Sequence, residues 1–128
     1  GDWDAYCRYR DRFMAEYQTG NIQYLVFLGD LIHRDSPPEQ DKSVEMVLDV
    51  IRLQQSHPQA IIYLCGNHEL AHIYNTSLAR GSYVYTAQFE AQLGDHRTDV
   101  IRFFEGLPFF VRTKAGCLLN PCGGLRFV

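Results

Sequence analysis

No apolar run in the sequence approaches the roughly 18 residues a bilayer-spanning helix needs, so no transmembrane segment and no membrane partner are expected. There is no basic block either. Twelve Lys and Arg against fifteen Asp and Glu give a net charge of −3, which argues against a nucleic-acid partner, whose phosphates demand many cationic contacts. Low-complexity stretches, internal repeats and a secretory signal are all missing. Cys7, Cys65, Cys117 and Cys122 form no C-x-x-C pair. Three of the four lie among apolar or aromatic neighbours and are expected as small buried hydrophobes in a reducing, cytoplasmic compartment. What is present is ordinary for a globular core: 128 residues, 46% of them hydrophobic, enough for one domain or a piece of one.

Hydrophobic periodicity predicts the elements. Residues 2–18 read as an amphipathic helix with Trp3, Tyr6, Cys7, Phe13, Met14 and Tyr17 on one face, closed by Gly20-Asn21. Ile22 to Leu28 is a nearly continuous apolar run, expected as a strand covered on both faces and closed by Gly29-Asp30. Ser36-Pro37-Pro38-Glu39 carries the marks of a helix start, with Ser as N-cap and Glu completing a capping box. That helix carries Val44, Val47, Leu48 and Ile51 in phase and stops before His57-Pro58. A second buried strand is expected over Ala60–Cys65. Strand, helix and strand at this spacing make a βαβ unit with parallel strands. Beyond it, short helices packed through Tyr74, Tyr83, Tyr85 and Phe89, a helix from about Asp95 to Glu105 and a β-hairpin around Lys114-Ala115-Gly116 complete an α/β or α+β fold.

In open α/β sheets, ligands gather beyond the carboxyl ends of parallel strands. Two such ends carry polar residues here: Gly29-Asp30, followed by Leu31-Ile32-His33-Arg34-Asp35, and Gly66-Asn67-His68-Glu69. Parallel strands bring Asp30 and Asn67 to one sheet edge, and the glycine before each permits close backbone approach. The residue types suit one task. A carboxylate can bridge two divalent cations and an amide oxygen can complete the coordination of one. A guanidinium can clamp two phosphate oxygens, and a histidine can protonate a departing alkoxide. Asp30, Asn67, Arg34 and His68 supply those four.

The segments LGDLIHRD and LCGNHE resemble the second and third motifs of the calcineurin-like metallophosphoesterases, and within them the bacterial relatives of the serine/threonine protein phosphatases. That resemblance implies a partial metallophosphoesterase-type layered fold and a metal-dependent phosphoester hydrolase. It makes Asp30 the bridging metal ligand, Asn67 a ligand to the second metal, His68 the acid for the leaving group and Arg34 the phosphate clamp. Two divalent ions (manganese, iron or zinc) and a phosphorylated substrate, either a phosphoprotein or a small phosphoester, follow from it. Two cations about 3.5–4 Å apart would share an ionised water.

The family pattern is incomplete. Its first motif, D-x-H, would precede Gly1, and its last, G-H-x-H, would follow Val128, so the chain reads as a single partial domain truncated at both ends. Where the family places a metal-binding histidine after the hairpin, the sequence has Asn120-Pro121-Cys122-Gly123-Gly124. His33 occupies the position at which the eukaryotic phosphatases carry an aspartate that orients the catalytic histidine; Asp35 is the one available substitute. The 128 residues alone are therefore expected to bind two metals poorly and to hydrolyse little.

Two rival readings remain. One is a non-catalytic binding module on a degenerate phosphoesterase fold. The other takes His68-Glu69-Leu70-Ala71-His72 as the H-E-x-x-H of a zinc metalloprotease, with Glu69 as base and Glu90 as an available third ligand. Against the protease, Gly66-Asn67 places His68 at a strand-to-helix turn. Glu69 then braces the turn, and His72 is a surface or packing residue whose loss a phosphatase mostly tolerates. His57 and His96 are expected to face solvent.

Overall fold

Asp2 opens the first helix, α1 (Trp3–Gln18), by accepting the Ala5 N–H on its side chain. A Schellman closure ends it: Gly20 N–H donates to Tyr17 O, Asn21 N–H donates to Glu16 O, and Gly20 takes φ +76°. The computed structural model describes residues 1–121. Tyr6 and Phe13 are buried on the expected apolar face of α1, and Trp3, Cys7, Met14 and Tyr17 pack beside them. Burial of a large apolar side chain of this kind contributes about 1.5–3 kcal/mol.

Strand β1 (Leu25–Phe27), helix α2 (Ser43–Ser56) and strand β2 (Ile61–Tyr63) form the predicted βαβ unit. The two strands are parallel, with Leu25 opposite Ile61 and Phe27 opposite Tyr63. Helix α2 contributes Val44, Met46, Val47 and Val50 to the main core, which Tyr6, Tyr63, Phe89, Leu93, Val100 and Phe104 complete. Tyr6 Oη (2.6 Å) and Arg10 Nη1 (2.9 Å) both donate to Asp49, tying α1 to α2.

Three expectations need correction here. The apolar run of residues 22–28 is not a strand covered on both faces. Only three residues pair, all half-buried, while Tyr24 and Leu28 are 60% and 50% exposed, because β1 pairs with β2 alone among the described residues. The helix expected from Ser36 starts instead at Ser43. Pro38–Gln40 make a 3-10 turn without a side-chain cap, and Asp41 accepts both the backbone N–H and the hydroxyl of Ser43. Pro38 disfavours the helical region for the residue before it, and Pro37 is extended at φ −52°, ψ 146°, so no α-helix propagates out of the apparent capping box. The cysteines are also less uniform than expected: Cys65 is buried, Cys7 half-buried and Cys117 exposed, all three as free thiols. Cys122, and with it the segment through Gly124, lies outside the described residues.

The remainder follows the predicted order apart from one small hairpin in a stretch expected to hold only short helices. Helix α3 (Asn67–Ile73) leaves β2, and a small hairpin of β3 (Ala79–Arg80) and β4 (Tyr83–Val84) leads into α4 (Tyr85–Leu93). A 3-10 turn over Gly94–His96 precedes α5 (Arg97–Glu105), and β5 (Val111–Arg112) pairs antiparallel with β6 (Leu118–Leu119). Of the aromatics expected to pack, Phe89 is fully buried, Tyr83 and Tyr85 are half-buried and Tyr74 is 70% exposed. His96 faces solvent as expected, whereas His57 sits edge-on against Tyr17, 5.4 Å between ring centres. Among the described residues no helix is long and apolar enough to cross a membrane.

Candidate functional site

The loops that leave β1 and β2 meet backbone to backbone, and the two glycines make this possible. A Cβ on Gly29 would lie 2.7 Å from Gly66 N, and one on Gly66 would lie 2.6 Å from Asp30 N. Gly29 and Asp30 both have positive φ, +85° and +52°, so the chain turns sharply just as β1 ends.

Glu69 locks this junction. Its side chain is fully buried and accepts four hydrogen bonds: Tyr63 Oη at 2.6 Å and Leu31 N at 3.0 Å on Oε1, Asp30 N and Gly66 N at 2.9 Å on Oε2. Burial first, then the Glu69 carboxylate, pushes the Tyr63 phenol well above its ordinary range, which keeps Tyr63 a donor. Gly66 is the N-cap of α3 and has no side chain to cap with, so Asp30 supplies one from the other loop. Its Oδ1 accepts the His68 N–H at 3.0 Å. Asp30 is thereby fixed relative to His68, and among the described residues its second carboxylate oxygen accepts no hydrogen bond.

A line of imidazoles runs inward from His68. His33 lies in the turn after β1 at φ +72°, a conformation that strains a non-glycine residue. Its Nδ1 is 2.8 Å from His68 Nδ1, and its Nε2 is 2.7 Å from His72 Nε2. His72 Nδ1 is 2.8 Å from Glu90 Oε1, and Arg97 Nε donates to Glu90 Oε2 at 2.6 Å. The His33 ring is stacked on Tyr85, met edge-on by Phe89, and its backbone N–H donates to Ser43 Oγ at 3.1 Å. Burial, then the neighbouring His72 and His68, lower His33 to about 3; burial also lowers His72, although the Glu90 carboxylate pulls the other way. Burial would raise Glu90, but the hydrogen bonds from His72 and Arg97 outweigh it and bring it down. At neutral pH the two inner imidazoles, His33 and His72, are therefore neutral and end on an ionised carboxylate.

The four residues singled out from the sequence are not all equally gathered. Asp30 and His68 share a hydrogen bond, and Asn67 precedes His68 as the first residue of α3, exposed to solvent as Asp30 is. Arg34 follows His33 on an exposed turn; Tyr83 Oη holds its carbonyl at 3.0 Å, and its guanidinium makes no ion pair among the described residues. Asp35 is exposed and does not reach His68; the residue that does is His33 itself. Of the expectation that His72 is a surface or packing residue, the second half holds: it is 2% exposed, lies against Phe89 and Phe104, and is bonded at both ring nitrogens. Its i, i+4 spacing from His68 was visible in the sequence. The partner between them, His33, arrives from another loop.

As a metal site, the corner offers oxygen donors of the right chemistry on exposed turns, Asp30 and Asn67. No group of three His, Cys, Asp or Glu converges on a metal position among the described residues. Glu69 is committed to its four donors. A groove of about 730 Å³ along the open edge of β1, lined by Tyr6, Phe13, Tyr24 and Leu28, ends at Gly29-Asp30-Leu31 and sets an apolar surface beside the corner. Comparison of the chain with protein-family models, curated proteins and solved structures gave no match.

Proposed function

We propose that this corner is part of a phosphoester hydrolase centre. The observation that carries the reading is the pairing of Asp30 with His68 at the abutting ends of two parallel strands, held there by Glu69. In this reading His68, doubly protonated with its Nδ1–H toward His33, delivers its Nε2 proton to the leaving alkoxide. Arg34 takes two phosphoryl oxygens with its planar guanidinium. Asp30 and Asn67 would hold divalent cations of the manganese, iron or zinc type, which when bound would neutralise phosphoryl charge and acidify a water. The substrate is a phosphoprotein or small phosphoester, and the wider architecture is a partial metallophosphoesterase-type layered fold.

Hydrolysis of an aryl phosphate in the presence of Mn²⁺ tests it. Slow turnover that drops at least tenfold in both Asp30→Ala and His68→Ala is expected. Turnover indifferent to both substitutions would sink the proposal. The short donor set favours the second reading, a binding module on the same fold: phosphate that binds near His68 without being hydrolysed at any metal concentration would select it. The zinc-protease reading has little support, because His33 stands between His68 and His72, and Glu69 has no free oxygen with which to act as base.

A further inference from the structure

The imidazole line is longer than anything needed to hold one side chain still, and its geometry has a direction. A contact of 2.7–2.8 Å between two ring nitrogens requires one of them to carry a proton. Glu90, ionised and paired with Arg97, can only accept, so His72 Nδ1 is the donor. A neutral His72 then presents a lone pair at Nε2, and His33 must donate to it from its own Nε2. His33 Nδ1 is left as an acceptor, and His68 must donate from Nδ1. One carboxylate at the far end thus dictates every tautomer along the line and leaves His68 Nε2 as the outward nitrogen.

We infer that Glu90 is a positioning residue for His68, acting through His72 and His33 to fix its Nδ1–H tautomer and aim its Nε2 away from the core. A free histidine prefers the opposite, Nε2–H tautomer, so the relay works against intrinsic preference. The elements that converge on it show how it is held. His33 comes from the turn after β1, His68 and His72 from α3, Glu90 from α4 and Arg97 from α5. The positive φ of His33 is the local strain accepted to bring its ring between the two α3 histidines. The functional meaning of the relay rests on the hydrolase reading; the tautomers do not.

Long-range ¹H–¹⁵N spectra of the histidine rings in the 128-residue chain at neutral pH test the relay directly. The expected pattern is an Nδ1–H form for His72 and His68 and an Nε2–H form for His33. An Nε2–H form at His68 or His72 in the unaltered protein overturns the inference, with no variant required. In Glu90→Leu, whose fold is checked by its amide spectrum, the Nδ1–H form of His68 is expected to fall from nearly complete to a minority. An unchanged His68 tautomer in the folded variant also overturns it, and return of the Nδ1–H form in Glu90→Asp supports it. Addition of inorganic phosphate with Mn²⁺ separates the two ideas. If His68 does not respond, the hydrolase reading fails while the tautomer pattern stands or falls on its own spectra.

Discussion

Glu69 holds more of this corner together than any other described residue, with four hydrogen bonds on its one carboxylate. Glu69→Ala would strand the Tyr63 hydroxyl and three backbone N–H groups in a buried site, at about 1–3 kcal/mol for each one that water cannot reach. A loss of about 3 kcal/mol or more in urea unfolding is expected, a large share of a typical domain's stability. An unchanged midpoint would show that the brace is not structural. Gly66 gives a cleaner steric case. Its φ of −87° suits any residue, so Gly66→Ala should cost about 1–3 kcal/mol purely through the collision of the new Cβ with Asp30. Gly106→Ala, whose nearest neighbour would be 3.6 Å away, should stay within about 0.5 kcal/mol. Equal costs at the two glycines would dispose of the close-approach explanation. The buried histidines set a pH dependence. His33 titrates at about 3 and His72 below its ordinary value when folded, whereas in the unfolded chain both take protons near 6.5. The unfolded state thus binds protons first as pH falls. Stability is complete above about pH 6.5 and declines below it, before most carboxylates respond. Urea midpoints measured between pH 7.5 and 5 should fall with pH; a flat profile would mean that the imidazoles are not buried neutral.

Among the elements, α1 has the simplest energetic test. Asp2→Ala removes the side-chain acceptor of the Ala5 N–H and is expected to cost about 1 kcal/mol, with faster amide exchange in the first turn of the helix. Exchange at Ala5 and Tyr6 that does not change would argue against the cap. The elements also show what the sequence could reveal. Helix α1, the βαβ unit and the hairpin were legible because apolar periodicity and turn residues are local signals. The start of α2 was not. Ser36 and Glu39 form a convincing capping pattern, but two prolines and the Asp41–Ser43 contact move the helix six residues on. The extent of β1 was misjudged because an apolar run does not say how many edges are paired. Within the site, Asp30 and Asn67 could be brought to one sheet edge from strand ends alone, whereas the bond from His68 N–H to Asp30 could not be foreseen. The relay could not, since it joins side chains from four segments through contacts 35 and 39 residues apart and depends on a left-handed His33 that no propensity scale favours.

At the scale of the whole molecule, the described residues hold a well-braced corner with few metal donors. Low affinity for divalent cations and slow turnover are the expected combination for these 128 residues, and brisk Mn²⁺-dependent hydrolysis would contradict it. Among the described residues β1 is unpaired on one edge, and the groove along that edge runs to Asp30, so a cation can be mapped where it binds even when it binds weakly. Paramagnetic broadening of the amide spectrum by Mn²⁺, with inorganic phosphate present, is the most direct test. The prediction is that the signals of Asp30, Leu31, Asn67 and His68 disappear first, and that Asp30→Ala abolishes the effect. Broadening centred elsewhere, or unaltered by Asp30→Ala, would contradict the proposal that this corner is a phosphoester-hydrolysing site.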